Sequence, residues 1–144
     1  MIRTLLCLAA LFVSSGLVAE ESDPASEAVA AYAAAWGESD ATKRMALLER
    51  AWADDGVYTD PTAEVRGREA LDQHIAAFQA QGTGARILQT TVVDSHHGMR
   101  LRFGWKMVSD DGTTMVEGID YGELDEDGRL RLIVGFFGEM KPLE

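Results

Sequence analysis

Met99-Arg100-Leu101-Arg102-Phe103-Gly104-Trp105-Lys106-Met107 is the stretch that decides the fold class. Apolar residues alternate with charged ones and a glycine. Successive side chains of a β-strand point to opposite faces, so the pattern predicts a strand with one buried face. Downstream, Asp110-Asp111-Gly112 reads as a hairpin turn, 113–124 as the next strand, Glu126-Asp127-Gly128 as another turn and 129–137 as the last strand. Upstream, 85–94 is a β-rich run closed by a turn at Ser95-His96-His97-Gly98. Consecutive strands joined by short glycine-containing turns imply an antiparallel meander.

Before residue 85 the period changes from two to 3.6. Val29, Tyr32, Ala33 and Trp36 fall on one face of a first helix, which Gly37 stops. Ser39 or Asp40 offers an N-cap for a second helix with Met45, Leu48 and Trp52 on one stripe, expected to end at Asp54-Asp55-Gly56. Val57-Tyr58-Thr59 is a short strand closed by Asp60-Pro61, because the residue before proline is pushed to extended geometry. After a turn at Arg66-Gly67, a third helix carries Leu71, Ile75 and Phe78 and ends at 81–84. Helices first and clustered strands after predict an α+β domain: three N-terminal helices on a curved antiparallel sheet, with a cavity at its open end. The Met99-to-Met107 face is a candidate interaction strip, or a homodimer surface, if the helices leave it uncovered.

The chain has 144 residues. It begins with Arg3, an apolar run over 5–13 and a small-residue end at 14–19, the layout of a secretory signal peptide with cleavage near Ala19. A core helix is the alternative, although 4–13 shows no polar face. The run is too short to span a membrane, for which roughly 20 apolar residues are needed. The expected organisation is therefore leader 1–19, linker or helix lead-in 20–26, one domain over 27–139 and a tail over 140–144, with a periplasmic or secreted location. Cys7 is the single cysteine and would leave with the leader, so packing alone must stabilise the mature chain. The net charge of −11 opposes nucleic acid and anionic membrane surfaces as partners.

Three polar residues occupy apolar settings. Asp120 shares its strand face with Val116, Gly118, Gly122 and Leu124, and the flanking glycines suggest open space beside it. Burial would raise its pKa and let the acid donate a hydrogen bond; an outward bulge, or a pair with Arg100 or Arg102, is the bland alternative. Tyr32 lies on the buried stripe of the first helix, where most tyrosines are core residues. Asp60 ends a strand before proline, as many turn starters do. His96 and His97 fall in a turn, and His74 stands on a helix without a metal-ligand spacing, so no metal is expected. No phosphate-cradling glycine pattern and no serine-nucleophile elbow is present. Trp36, Trp52 and Trp105 read as core and pocket lining.

The element order and Trp52-Ala53-Asp54-Asp55-Gly56-Val57-Tyr58-Thr59-Asp60-Pro61 resemble the nuclear-transport-factor-2-like superfamily, including SnoaL-like proteins. Gly67-Arg68-Glu69 and Leu124-Asp125-Glu126-Asp127-Gly128-Arg129 fit as well, and the resemblance covers roughly 26–139. It implies a cystatin-like cone with an internal pocket, and a homodimer. Within that superfamily, Tyr32, Asp60 before Pro61 and Asp120 after Ile119 are similar to the first-helix tyrosine, the base and the sheet aspartic acid of ketosteroid isomerases. The resemblance implies Asp60 as general base, and Tyr32 with a protonated Asp120 as hydrogen-bond donors to an enolate oxygen, with no cofactor. Trp36, Tyr58, Phe78, Phe103, Trp105 and Phe137 are the expected contacts to a hydrophobic small molecule. A non-catalytic ligand-binding or accessory protein of the same fold is the alternative, since this fold hosts many chemistries.

Overall fold

The computed structural model describes residues 23–143, so the expected leader and the first residues of the linker lie outside the described residues. Helix α1 spans Pro24–Gly37, starting inside the expected linker. Asp23 caps it by accepting from the Ser26 N–H, and Pro24 takes the first helical position, where a missing N–H removes no bond. Helix α2 spans Ala41–Ala51, with the Asp40 carboxylate accepting from Lys43 N–H at its start. Its buried stripe is Arg44, Leu48 and Ala51, and Met45 is only half-buried.

The end of α2 differs from expectation. The helix stops at Ala51, and Trp52 already opens β1 (Trp52–Thr59). Trp52 pairs with Leu130 and Val57 with Leu132, so the segment between them bulges and carries Asp54 and Asp55 into solvent. The pair that reads as a helix stop is a bulge within a strand. Strand β2 (Glu64–Arg66) returns antiparallel to β1. Helix α3 (Arg68–Gln79) follows Gly67, whose φ of 91° suits glycine at the turn.

Five further strands follow: β3 (Arg86–Gln89), β4 (Asp94–His96), β5 (Arg100–Val108), β6 (Thr114–Leu124) and β7 (Leu130–Phe137). The expected single run over 85–94 is split into β3 and β4, which pair with opposite halves of β5. Between them Thr90 N–H donates to the Gly104 carbonyl, and the Thr91 hydroxyl accepts from Gly104 N–H. The sheet runs β2-β1-β7-β6-β5-β3, with β4 also on β5. It is curved, open and mixed: β5, β6 and β7 form the expected antiparallel meander, but β1 lies parallel to β7.

That parallel pair sets up the two ends of the molecule. Where β1 and β7 begin, Trp52, Leu130 and Ile133 pack with Val29, Leu48, Leu71 and Ile75, all fully buried. Where they finish, Asp60 and Phe137 face a cavity instead. The Met99-to-Met107 face turns inward from Leu101 onward, which removes it as a free interaction strip: Leu101 and Phe103 are buried, Trp105 and Met107 line the cavity, and only Met99 at its start is exposed. The exposed apolar side chains Met115, Ile119 and Phe136 lie instead along β6 and β7, with Ile119 and Phe136 in register.

Candidate functional site

A cavity of about 450 Å³ lies between the C-terminal halves of α1 and α3 and the sheet. That is within the usual range for a small-molecule site. Tyr32, Asp60 and Asp120 all line it, together with Trp36, Tyr58, Phe78, Phe103, Trp105 and Phe137. All nine residues that the sequence singled out for a site therefore line one cavity, from two helices and four strands.

Sheet register explains how the two carboxyls meet. Phe103 on β5 is opposite Asp120 on β6, and Asp120 is opposite Gly135 on β7. Asp60 follows directly on β1, whose Thr59 pairs with Val134. These residues form one inward-facing row across four strands, and Gly135 leaves a gap in it. A methyl group there would lie 3.1 Å from Asp120 Oδ1 and 3.4 Å from Asp60 Cβ. With only a hydrogen at that point, the two acids flank the same small space.

Their surroundings push their pKa values in opposite directions. Asp120 is 5 % exposed. Burial lifts it to about 6, against the Trp105 indole N–H, which donates to Oδ1 at 2.7 Å, and with a further push from the Asp60 charge. Its Oδ2 has no hydrogen-bond partner among the described residues and remains available to the cavity. For Asp60, burial acts upward but is outweighed by hydrogen bonds, and the group lies below the ordinary carboxylate value. Tyr58 OH donates to Oδ2 at 2.6 Å, while Thr62 N–H, Thr62 OH and Ala63 N–H all converge on Oδ1. Oδ1 is saturated; Oδ2 keeps a free lone pair.

The glycines beside Asp120 do something other than leave open space. Gly118 faces the Trp105 ring, which a methyl group would meet at 2.5 Å, so this glycine lets the indole lie close to the sheet near Asp120. Gly122 is closed over by Leu101 and Ile133. Asp120 also pairs with neither arginine considered for it: Arg102 binds Asp94 on the sheet edge.

Tyr32 stacks on Trp52 with ring centroids 5.7 Å apart and meets Trp36 and Phe103 edge-on. Burial first, and then the Asp120 charge, hold its pKa well above the ordinary tyrosine value, so the hydroxyl stays a donor. His74, which the sequence offers only as a histidine without a metal-ligand spacing, is a cavity residue. It sits between Trp36 and Tyr58, 5.9 and 5.5 Å from their ring centroids, and lines the cavity. Its spacing, three after Leu71 and four before Phe78, was the signal available. Among the described residues no group of three or more His, Cys, Asp or Glu is arranged to hold a metal ion.

This fold is of the α+β cone type, with a cavity between its helices and sheet. Residues 29–133 match the SnoaL-like domain, and the chain belongs to that family. Among solved structures it is similar to a SnoaL-like protein from Agrobacterium tumefaciens described as a candidate isomerase: 32 % identity, 78 % of this chain and 95 % of that one, TM-score 0.72. Two more distant structures share the fold. One is TerC crystallised with polyporic acid (14 % identity, 80 % and 92 % covered, TM-score 0.61). The other is RV0760c from Mycobacterium tuberculosis with estradiol-17β-hemisuccinate (16 % identity, 81 % and 95 % covered, TM-score 0.60). A search of curated proteins returned no match.

Proposed function

We propose that this protein binds a hydrophobic carbonyl compound in its cavity and moves a proton at the carbon next to the carbonyl, as an isomerase or cyclase does. The observation that carries the reading is the pair of carboxyls on one aromatic cavity with their pKa values driven apart. Divergent environments of this kind assign an acid and a base. Asp60, ionised at neutral pH, is the base and takes the proton on Oδ2. Asp120, with the higher proton affinity, and Tyr32 donate hydrogen bonds to the enolate oxygen that forms. Closing the cavity around an apolar substrate removes water and raises Asp120 further, which favours its acid form. Tyr58 and the Thr62-Ala63 turn hold the Asp60 carboxylate in one orientation.

The test is α-proton exchange of a bicyclic ketone, 2-tetralone, in D₂O. Wild-type protein is expected to accelerate exchange, and Asp60→Asn to slow it by about 100- to 10,000-fold, the usual contribution of a positioned base. Undiminished exchange in a folded Asp60→Asn protein would contradict the assignment. One observation favours a second reading, a ligand-binding or accessory protein without chemistry: four donors on Asp60 lower its basicity. Saturable ketone binding with no exchange above buffer supports that reading.

The apolar leader pattern and the exposed Ile119 and Phe136 support an exported protein that pairs with a second copy of itself. The N-terminal residue of the purified protein tests the first point and its native mass the second.

A further inference from the structure

The charge distribution around the cavity narrows the ligand class. Among the described residues, those lining it include two aspartates and no lysine or arginine. Arg44 on α2 and Arg68 on α3 are committed elsewhere. Arg44 binds Asp72, Gln79 and the Glu38 carbonyl, and Arg68 binds Asp54 and the Trp52 carbonyl. The remaining wall is largely aromatic, with Trp36, Tyr58, Phe78, Trp105 and Phe137 lining the space. Aromatic faces carry negative potential and attract cations, most strongly where water is excluded. Asp120 adds an unpartnered oxygen on a side chain only 5 % exposed, and Asp60 adds a lone pair on Oδ2.

We propose that the cavity sorts ligands by charge, taking amine-bearing apolar molecules ahead of neutral ones and excluding carboxylates, sulfates and phosphates. An ammonium group in the cavity gains the ring faces and an acidic oxygen together. A carboxylate, sulfate or phosphate meets two carboxyls and no lysine or arginine, in surroundings where charge is poorly screened. The ordering deepens the proposed function by naming its substrate class, a neutral or basic carbonyl compound, but it depends only on the cavity as a binding site.

The experiment is calorimetric titration of the protein with three probes on one apolar frame: (2-naphthylmethyl)trimethylammonium, 2-naphthylmethanol and 2-naphthylacetate. Measuring in 0.5 M salt screens the acidic surface. The cation is expected to bind about tenfold or more tighter than the alcohol, and the acetate about tenfold or more weaker. Asp120→Asn keeps an acceptor for Trp105, and it is expected to reduce the cation-to-alcohol ratio about tenfold, with far-UV circular dichroism as the check on its fold. Asp60→Asn provides a second variant, checked for its fold in the same way. Equal binding of the three probes, acetate binding at the level of the alcohol, or a ratio unchanged in both variants would overturn the proposal. Loss of the charge order with ketone exchange intact removes the charge selection alone. The charge order without exchange leaves the selection standing and removes the proton transfer.

Discussion

The two ends of the space between helices and sheet are built from similar residues and differ in whether that space is filled. At one end Val29, Leu48, Trp52, Leu71, Ile75, Leu130 and Ile133 close on one another with no exposure to solvent. At the other, Tyr32, Trp36, Phe78, Phe103, Trp105 and Phe137 stand around an opening of about 450 Å³. The same strands serve both: β5 contributes Leu101 to the packed end and Trp105 to the hollow one, and β6 contributes Leu124 and Asp120. Among the described residues the one buried acidic side chain, Asp120, lies at the hollow end, where a ligand or water can satisfy it. A carboxyl in the packed end would lie among apolar atoms with no partner, at a cost of several kcal/mol. One end holds the fold together, and the other presents the chemistry.

Cutting side chains at the two ends gives the largest expected contrast. Ile75→Ala, at the packed end, is expected to lower stability by about 3–4 kcal/mol, since it leaves a cavity that the core cannot collapse to fill. Phe78→Ala lies less than one helical turn away on the same stripe but at the edge of an existing opening, and about 1–2 kcal/mol is expected. Denaturant unfolding of both variants checks this. Equal losses would mean that the opening is filled in solution and that the two ends are alike.

The hollow end should also carry a stability penalty of its own. Asp120 is raised from 3.8 to about 6. The folded protein therefore binds this proton more tightly than the unfolded chain does, and stability falls as pH rises between those two values. Asp120→Asn removes the penalty. The variant is expected to be more stable than wild type at pH 7.5, by about 3 kcal/mol at most, with the gain fading to nothing below the ordinary carboxylate value. Thermal unfolding across that range provides the check. A variant less stable than wild type at pH 7.5 would show that the site holds the Asp120 charge comfortably.

Elements with an unbroken period were legible in the sequence; elements that depend on a partner were not. The stripes Val29-Tyr32-Trp36 and Leu71-Ile75-Phe78, and the alternation from Met99 to Met107, each contain their own answer, because burial on one face follows from spacing alone. The end of α2 does not. Asp54-Asp55-Gly56 has the chemistry of a helix stop, and only pairing with β7 draws Trp52 into a strand and turns those acids into a bulge. The parallel sense of β1 was hidden for the same reason, since nothing in its residues specifies which edge of the meander it joins. At the site, Asp120 stood out as a polar residue on an apolar face, and the family resemblance added Tyr32 and Asp60. The Trp105 indole on Asp120, the Tyr58 hydroxyl on Asp60 and the vacant side-chain position at Gly135 arise from register between strands, which a single chain of letters does not record.

The central claim is that one cavity drives two neighbouring carboxyls apart in proton affinity. Carbon-13 NMR titration of the side-chain carboxyls of Asp60 and Asp120 in the ligand-free protein measures this directly. The expected result is an Asp120 midpoint near 6 and an Asp60 midpoint below the ordinary 3.8. Two midpoints together near 3.8 would contradict it, because neither acid would then be distinguished by its surroundings.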